Sequence, residues 1–297
     1  MTLIYGLATP EIGFLVGDTL VSFGREYGNR EFMGQSGLVK GQAHVLKIHI
    51  IDPDTAIGFT TDNVPCVLDS INKLQQQMRG DPNIDVCRWL HDQIAIGTEF
   101  LVLRLSGETK SLAHVTDRAI TYRERAYIGD AEAYREFSNL RRPRSSPQLR
   151  TVLNGDGSVK TVIPVTAAER EFDEISNAME EFTQNRNSRT VGAIIGCVTR
   201  VVDARLSGKL EYLQALEAGT SPWEGLTGYT LLASNTGDIR GIGLYFRNGK
   251  FGFIFVAADT SPCYKEYAPT VAEFIALART KYGLRLEGGI WHEVGGA

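Results

Sequence analysis

Two short apolar runs open the chain, Leu3-Ile4-Tyr5-Gly6-Leu7 and Phe14-Leu15-Val16, on either side of Pro10-Glu11-Ile12-Gly13. Apolar runs flanking a Pro/Gly turn predict a β-hairpin over 2–22. Residues 43–51 predict a strand, Asp52-Pro53-Asp54 a turn, and 56–60 a return strand. Val64, Val67, Leu68, Ile71 and Leu74 then recur at helical spacing. Asp62 or Asn63 precedes them as an N-cap, Pro65 sits in the first turn, and Gly80-Asp81-Pro82 ends the pattern. Val86, Trp89, Leu90 and Ile94 predict a second helix directly after it.

Downstream, 99–105 and 110–116 read as a hairpin around Ser106-Gly107-Glu108, and 119–128 as a strand. That strand ends at Gly129-Asp130, where a helix begins with Asp130 as its N-cap or first-turn acid. Residues 140–162 break the periodicity. Arg141-Arg142-Pro143-Arg144-Ser145-Ser146-Pro147 lies there, and the stretch reads as an exposed, inserted loop. Two helices follow, over 167–182 and 190–206. Phe172, Ile175 and Met179 form the stripe of the first; Val191, Ile194, Ile195, Val198 and Val202 form that of the second. Three strands are predicted at 228–233, 239–246 and 251–257, the last two joined through Asn248-Gly249. The first two are expected to complete the core sheets. The third, with a final helix over 267–282, forms a C-terminal extension from about 250. One domain over 1–297 is expected.

Composition narrows the function classes. The chain is 43% hydrophobic and 22% charged, as ordinary globular proteins are. A net charge of -4 and no basic stripe give no reason to expect a nucleic-acid partner. No apolar run is long enough to span a bilayer, and the first residues lack a basic segment, so a cytoplasmic protein is expected. Cys66, Cys87, Cys197 and Cys263 are scattered, with no CxxC or Cys/His cluster. They read as buried structural thiols, and neither a metal nor a cofactor is expected.

The candidate chemistry sits at the start. Removal of Met1 would leave Thr2 with a hydroxyl nucleophile and a free α-amine on one residue. An α-amine has an unperturbed pKa of roughly 8, low enough to accept a proton near neutrality. Asp18 lies on the second strand of the hairpin, and Lys47 opens the run Lys47-Ile48-His49-Ile50-Ile51. A lysine beside the hydroxyl favours its deprotonation, and a carboxylate keeps that lysine charged and placed.

Thr2, Gly17-Asp18-Thr19 and Lys47-Ile48-His49-Ile50-Ile51 followed by a second hairpin resemble a proteasome β-type subunit, of the N-terminal-nucleophile (Ntn) hydrolases, in a divergent, bacterial-like form. The resemblance implies an α+β fold, a four-layer αββα sandwich of the Ntn-hydrolase type with a C-terminal strand–helix elaboration. It implies Thr2 as nucleophile, Lys47 as the catalytic lysine and Asp18 as its partner. The oxyanion and substrate edge maps to Gly58-Phe59-Thr60, with Thr60 where the family has glycine. The family's serine-bearing turn before the helix maps to Gly129-Asp130, as accessory positions without a serine. The activity implied is threonine-type cleavage of peptide bonds in a polypeptide substrate. A ring-like homo-oligomer fed by a separate ATPase unfoldase is implied as well. Two alternatives stay open: a catalytically silent subunit acting in assembly or binding, and an amidase for a small-molecule amide.

Overall fold

The first apolar runs pair as an antiparallel hairpin, β1 (Leu3–Ala8) and β2 (Gly13–Gly17), in register from Ile4↔Gly17 to Ala8↔Gly13. The computed structural model describes residues 2–22, 42–141, 149–153, 159–184, 199–204, 208–213, 215–220 and 227–287. Next come β3 (Leu20–Ser22), β4 (Gln42–His44), β5 (Ile48–Asp52), β6 (Thr55–Thr60), α1 (Val64–Gly80) and α2 (Val86–Gln93). They are followed by β7 (Glu99–Ser106), β8 (Thr109–Val115), β9 (Ile120–Arg123), β10 (Arg125–Gly129) and α3 (Ala131–Leu140). The rest comprises β11 (Leu149–Leu153), β12 (Val159–Pro164), α4 (Ala167–Gln184), β13 (Thr199–Ala204) and β14 (Lys209–Tyr212). It closes with β15 (Ala215–Thr220), β16 (Thr227–Ser234), β17 (Gly241–Phe246), β18 (Phe251–Val256), β19 (Tyr264–Tyr267) and α5 (Val271–Tyr282).

Among the described residues this is an α+β protein with five helices and three five-stranded antiparallel sheets, ordered β10-β1-β2-β13-β14, β5-β6-β7-β8-β9 and β15-β16-β17-β18-β19. β3 with β4, and β11 with β12, form separate two-stranded ladders.

Side-chain alternation decides what each sheet covers. Ile4, Leu15, Ile128 and Val201 of the first sheet share a core with Ile48, Ile50, Leu101 and Leu103 of the second. The opposite face of the first sheet, with Leu3, Tyr5, Phe14 and Val16, packs on Phe137 of α3 and Phe172, Ile175 and Met179 of α4. The outer face of the second, with Ile57, Phe59 and Val102, packs on Val67, Leu68 and Ile71 of α1 and Leu90 of α2. β1 and β2 are therefore buried on both faces. That is why they read as continuous apolar runs rather than alternating ones. Each leucine, isoleucine or phenylalanine buried there contributes about 2 kcal/mol of transfer free energy.

The third sheet departs from expectation. β16 and β17 do not complete the core sheets; they pair with each other and with β15 and β18. The extension placed from about 250 thus belongs to a sheet that starts at Ala215. One face, with Leu244, Phe253 and Phe255, joins the core shared by the first two sheets. Its other face, with Leu232, Tyr245 and Ile254, carries Phe274 and Ala278 of α5. Local hairpin signals gave the pairing order, but docking this sheet depends on contacts distant in sequence. Examples are Ala258 N–H to His49 Nδ1 at 2.8 Å and Asn72 Nδ2 to the Ala258 carbonyl at 2.6 Å.

Three more elements differ. The helix expected over 190–206 is β13 over Thr199–Ala204, and 190–198 lie outside the described residues. Thr199, Val201 and Val202 are β-branched and fill the slot beside β2, in register Thr199↔Gly17. The strand expected over 119–128 splits around Glu124, so β9 stays in the second sheet while β10 crosses into the first beside β1. In place of the loop expected over 140–162, β11 and β12 pair antiparallel; 142–148 and 154–158 lie outside the described residues.

Cys87 and Cys263 are buried, Cys66 is exposed, and Cys197 lies outside the described residues. Cys66 sits in the first turn of α1, on the side away from Val67 and Leu68. Among the described residues no helix is long and apolar enough to cross a membrane.

Candidate active site

Asp18 follows the last residue of β2, where the hairpin brings it opposite Leu3. Its backbone N–H donates to the Leu3 carbonyl at 3.2 Å, and the Leu3 N–H donates to Asp18 Oδ1 at 3.0 Å. A side-chain oxygen thus takes the place of a ladder carbonyl, fixing the carboxylate against the backbone next to Thr2. Gly17 permits this approach: a Cβ there would lie 2.9 Å from Ile4 Cγ1 and 3.2 Å from Ile48 Cδ1.

Lys47 precedes β5 and is fully enclosed. Its Nζ donates to Asp18 Oδ1 and Oδ2, each at 3.0 Å, and to the Leu20 carbonyl. Its own carbonyl accepts the Phe59 N–H at 3.0 Å, which clamps the turn between β4 and β5 to β6. Burial lowers the lysine pKa, while the charge and hydrogen bond of Asp18 oppose the shift. Asp18 and Lys47 are 29 residues apart in sequence, and only the stacking of the first two sheets joins them.

Thr2 is held from its other side. Its carbonyl accepts the Asp130 N–H at 2.9 Å, just beyond the Leu3↔Gly129 register of β1 and β10. Gly129 has φ +105, and a Cβ there would lie 1.9 Å from the Thr2 oxygen. Glycine is therefore required on two counts, backbone conformation and space. Asp130 is the N-cap of α3, with Oδ1 accepting from Glu132 N–H at 2.8 Å and Ala133 N–H at 3.1 Å. The carboxylate serves the helix while its backbone amide serves Thr2.

Thr60 ends β6 opposite Glu99. It lines a cleft of about 440 Å³ together with Gly129 and Asp130. The structure thus gathers Thr2, Asp18 and Lys47 at one end of the facing sheets, with Thr60, Gly129 and Asp130 alongside. Met1 lies outside the described residues.

One neighbour was not singled out in the sequence. His44, on β4, is buried, and its Nδ1 lies 3.2 Å from Thr19 Oγ1. Burial, then the nearby Lys47 charge, push its pKa down to about 3, so the imidazole stays neutral beside the ion pair. Neither residue type nor spacing distinguishes His44 in the sequence; its place comes from the Leu20↔His44 pairing of β3 with β4.

Among the described residues no group of three or more His, Cys, Asp or Glu side chains could hold a metal ion. The arrangement offers a hydroxyl-bearing residue near a buried ion pair, and backbone anchors on both sides of it. No protein-family model matches the chain, and no curated protein matches it.

Proposed function

We propose that this chain is an N-terminal-threonine hydrolase of the proteasome β type that cleaves peptide bonds. The observation that carries the reading is the buried Asp18–Lys47 pair fastened to the backbone beside Thr2. Once the bond before Thr2 is cut, the free α-amine takes the hydroxyl proton, directly or through water, as Oγ1 attacks the carbonyl. The Lys47 ammonium stabilises the negative charge developing on Oγ1, and the charge and hydrogen bond of Asp18 oppose the lowering of the lysine pKa by burial. A backbone N–H at the Thr60 edge holds the oxyanion. The α-amine returns the proton to the leaving amine, and water hydrolyses the ester on Thr2.

The αββα sandwich of Ntn hydrolases is supported by the packing of α1 and α2 on one sheet and α3 and α4 on the other, around a shared core. A cytoplasmic, ring-like homo-oligomer supplied by a separate unfoldase accords with this reading, as does a polypeptide substrate.

A second reading, a silent subunit acting in assembly, is favoured by Asp130. It caps α3 with its carboxylate where the family pattern has a serine at the nucleophile.

Intact-mass measurement with N-terminal sequencing, followed by a threonine-directed covalent inhibitor, tests the proposal. A chain beginning at Thr2 that gains one inhibitor mass, with no adduct on Thr2→Ala, is the expected result. A homogeneous chain that begins at Thr2 and takes no inhibitor sinks the hydrolase reading and leaves the silent subunit.

A further inference from the structure

The second sheet runs β5-β6-β7-β8-β9, so β5 and β9 are its edges. The β5 edge is closed: the Tyr212 hydroxyl accepts the Ile50 N–H at 3.0 Å and donates to the Ile48 carbonyl at 2.9 Å. β14, at one end of the first sheet, is closed by the Asn235 side chain, which bonds the Tyr212 N–H at 2.8 Å and the Tyr212 carbonyl at 2.9 Å. β19, at one end of the third, is guarded by charge. A second copy centred on either middle residue would set Lys265 against Lys265 or Glu266 against Glu266. Among the described residues β9 has none of these devices. It reads Ile120-Thr121-Tyr122-Arg123, and Tyr122 is 66% exposed.

The Thr116 N–H donates to the Ala119 carbonyl at 3.0 Å where β8 turns into β9. Antiparallel ladders alternate, so from that pair Thr121 and Arg123 bond inward to β8, and the N–H and C=O of Ile120 and Tyr122 point outward. A two-fold axis at Thr121 places these outward groups in register. Ile120 of each copy faces Tyr122 of the other, and each such pair exchanges both of its N–H···O bonds. Thr121 meets Thr121 between them as the close, non-hydrogen-bonded pair. Aromatic with β-branched, and threonine with threonine, are favourable cross-strand pairs. Ile120 and Tyr122 stand beside Val115 and Ala113 of β8, which belong to the core under α1 and α2, so their contact carries that core across the seam. Just past the ladder, the same register brings Arg118 of one copy level with Glu124 of the other.

We propose that two copies of this chain join through β9 across a two-fold axis, merging their second sheets into one continuous antiparallel sheet. An isologous contact closes on itself, so it links two chains, or two rings of chains, and does not itself build a ring. The inference rests on β9 and is independent of the hydrolase reading.

Two measurements on the full chain test it. Sedimentation equilibrium compares wild type with Tyr122→Pro, which deletes an outward N–H and leaves the β8 ladder its donors. The axis makes each copy lose that bond, so association is expected to weaken about thirtyfold. The second measurement reads the register. A non-hydrogen-bonded antiparallel pair has its Cα atoms about 4.5 Å apart, within disulfide range. Thr121→Cys, in a chain whose exposed Cys66 is replaced by serine, is expected to form a 121–121 disulfide between copies on mild oxidation, identified by peptide mapping. Arg123→Cys in the same background is expected to form none, since its two copies are offset by about 13 Å along the strands. A wild-type chain that stays monomeric up to about 100 μM overturns the inference. So does an oligomer of any size that lacks the 121–121 disulfide, or one that links equally through position 123. Should Tyr122→Pro lose its folded circular dichroism spectrum, the disulfide pattern decides alone.

Discussion

Asp18 and Lys47 are joined through both carboxylate oxygens, each 3.0 Å from Nζ, and both side chains are buried. Such a pair is costly to split, because removing one charge strands the other away from water. Asp18→Asn is expected to destabilise the protein by about 3–5 kcal/mol in urea unfolding. Asp18→Leu combined with Lys47→Met should recover most of that loss, since an apolar pair leaves no buried charge. A double variant no more stable than Asp18→Asn would show that the Leu3 amide and Leu20 carbonyl, rather than the ion pair, dominate.

Lys47→Met strands the Asp18 carboxylate and carries a similar stability cost, so its chemistry is read on the folded fraction, checked by circular dichroism. Methionine fills a similar volume but cannot stabilise an alkoxide. The rate of covalent modification at Thr2 is expected to fall about a hundredfold or more, a typical loss for one transition-state donor. An unchanged rate in a folded variant would remove Lys47 from the mechanism.

Gly129→Ala places a methyl group where the Thr2 carbonyl oxygen lies, at a backbone φ of +105. The strain of that conformation and the forced separation of β10 from β1 together are expected to cost about 2 kcal/mol or more. Thermal unfolding reads the stability, and amide exchange at Asp130 reads the hydrogen bond to Thr2. A melting temperature equal to wild type would contradict the tight approach.

Two buried histidines predict how stability depends on pH. His49 lies on β5, and its Nδ1 accepts the Ala258 N–H at 2.8 Å. Burial pushes its pKa down to about 4, and that of His44 to about 3. The unfolded chain binds these protons first, near pH 6.5, so the sign is fixed. Stability is fully present above about pH 6.5 and is lost as pH falls through the folded values. The His49 shift alone corresponds to about 3 kcal/mol between pH 7 and pH 4. Asn at position 49 offers the Ala258 amide an oxygen without titrating. His49→Asn is therefore expected to flatten the acid limb of a stability–pH curve measured by urea unfolding. An identical acid limb in the variant would show that other groups set it.

Much of the fold was legible where the signal is local. The apolar runs around Pro10 gave the first hairpin, and the Val64–Leu74 spacing with Asn63 and Pro65 gave α1 almost to its ends. Asp130 as a cap follows from its place before an amphipathic stretch. Errors arose where a segment's state depends on a distant partner. Thr199 to Ala204 carries apolar residues that suit either period, and the open edge of β2 makes it a strand. Glu124 marks a crossing between sheets that no local residue signals. His44 was invisible because its importance lies in pairing with Leu20 and in standing near Lys47.

By itself the sequence determined the elements whose pattern is written within a dozen neighbouring residues, and it named Thr2, Asp18 and Lys47 as a set worth joining. Hydrophobic periodicity and capping act over a turn or a strand, so they can be read without the rest of the chain. Only the tertiary structure decided that Asp18 meets Lys47 across 29 residues and that Gly129 closes on the Thr2 carbonyl. It alone decided that the last strands form a third sheet instead of finishing the first two. Those outcomes depend on which buried faces fit together, a property of the packed whole that no local window contains.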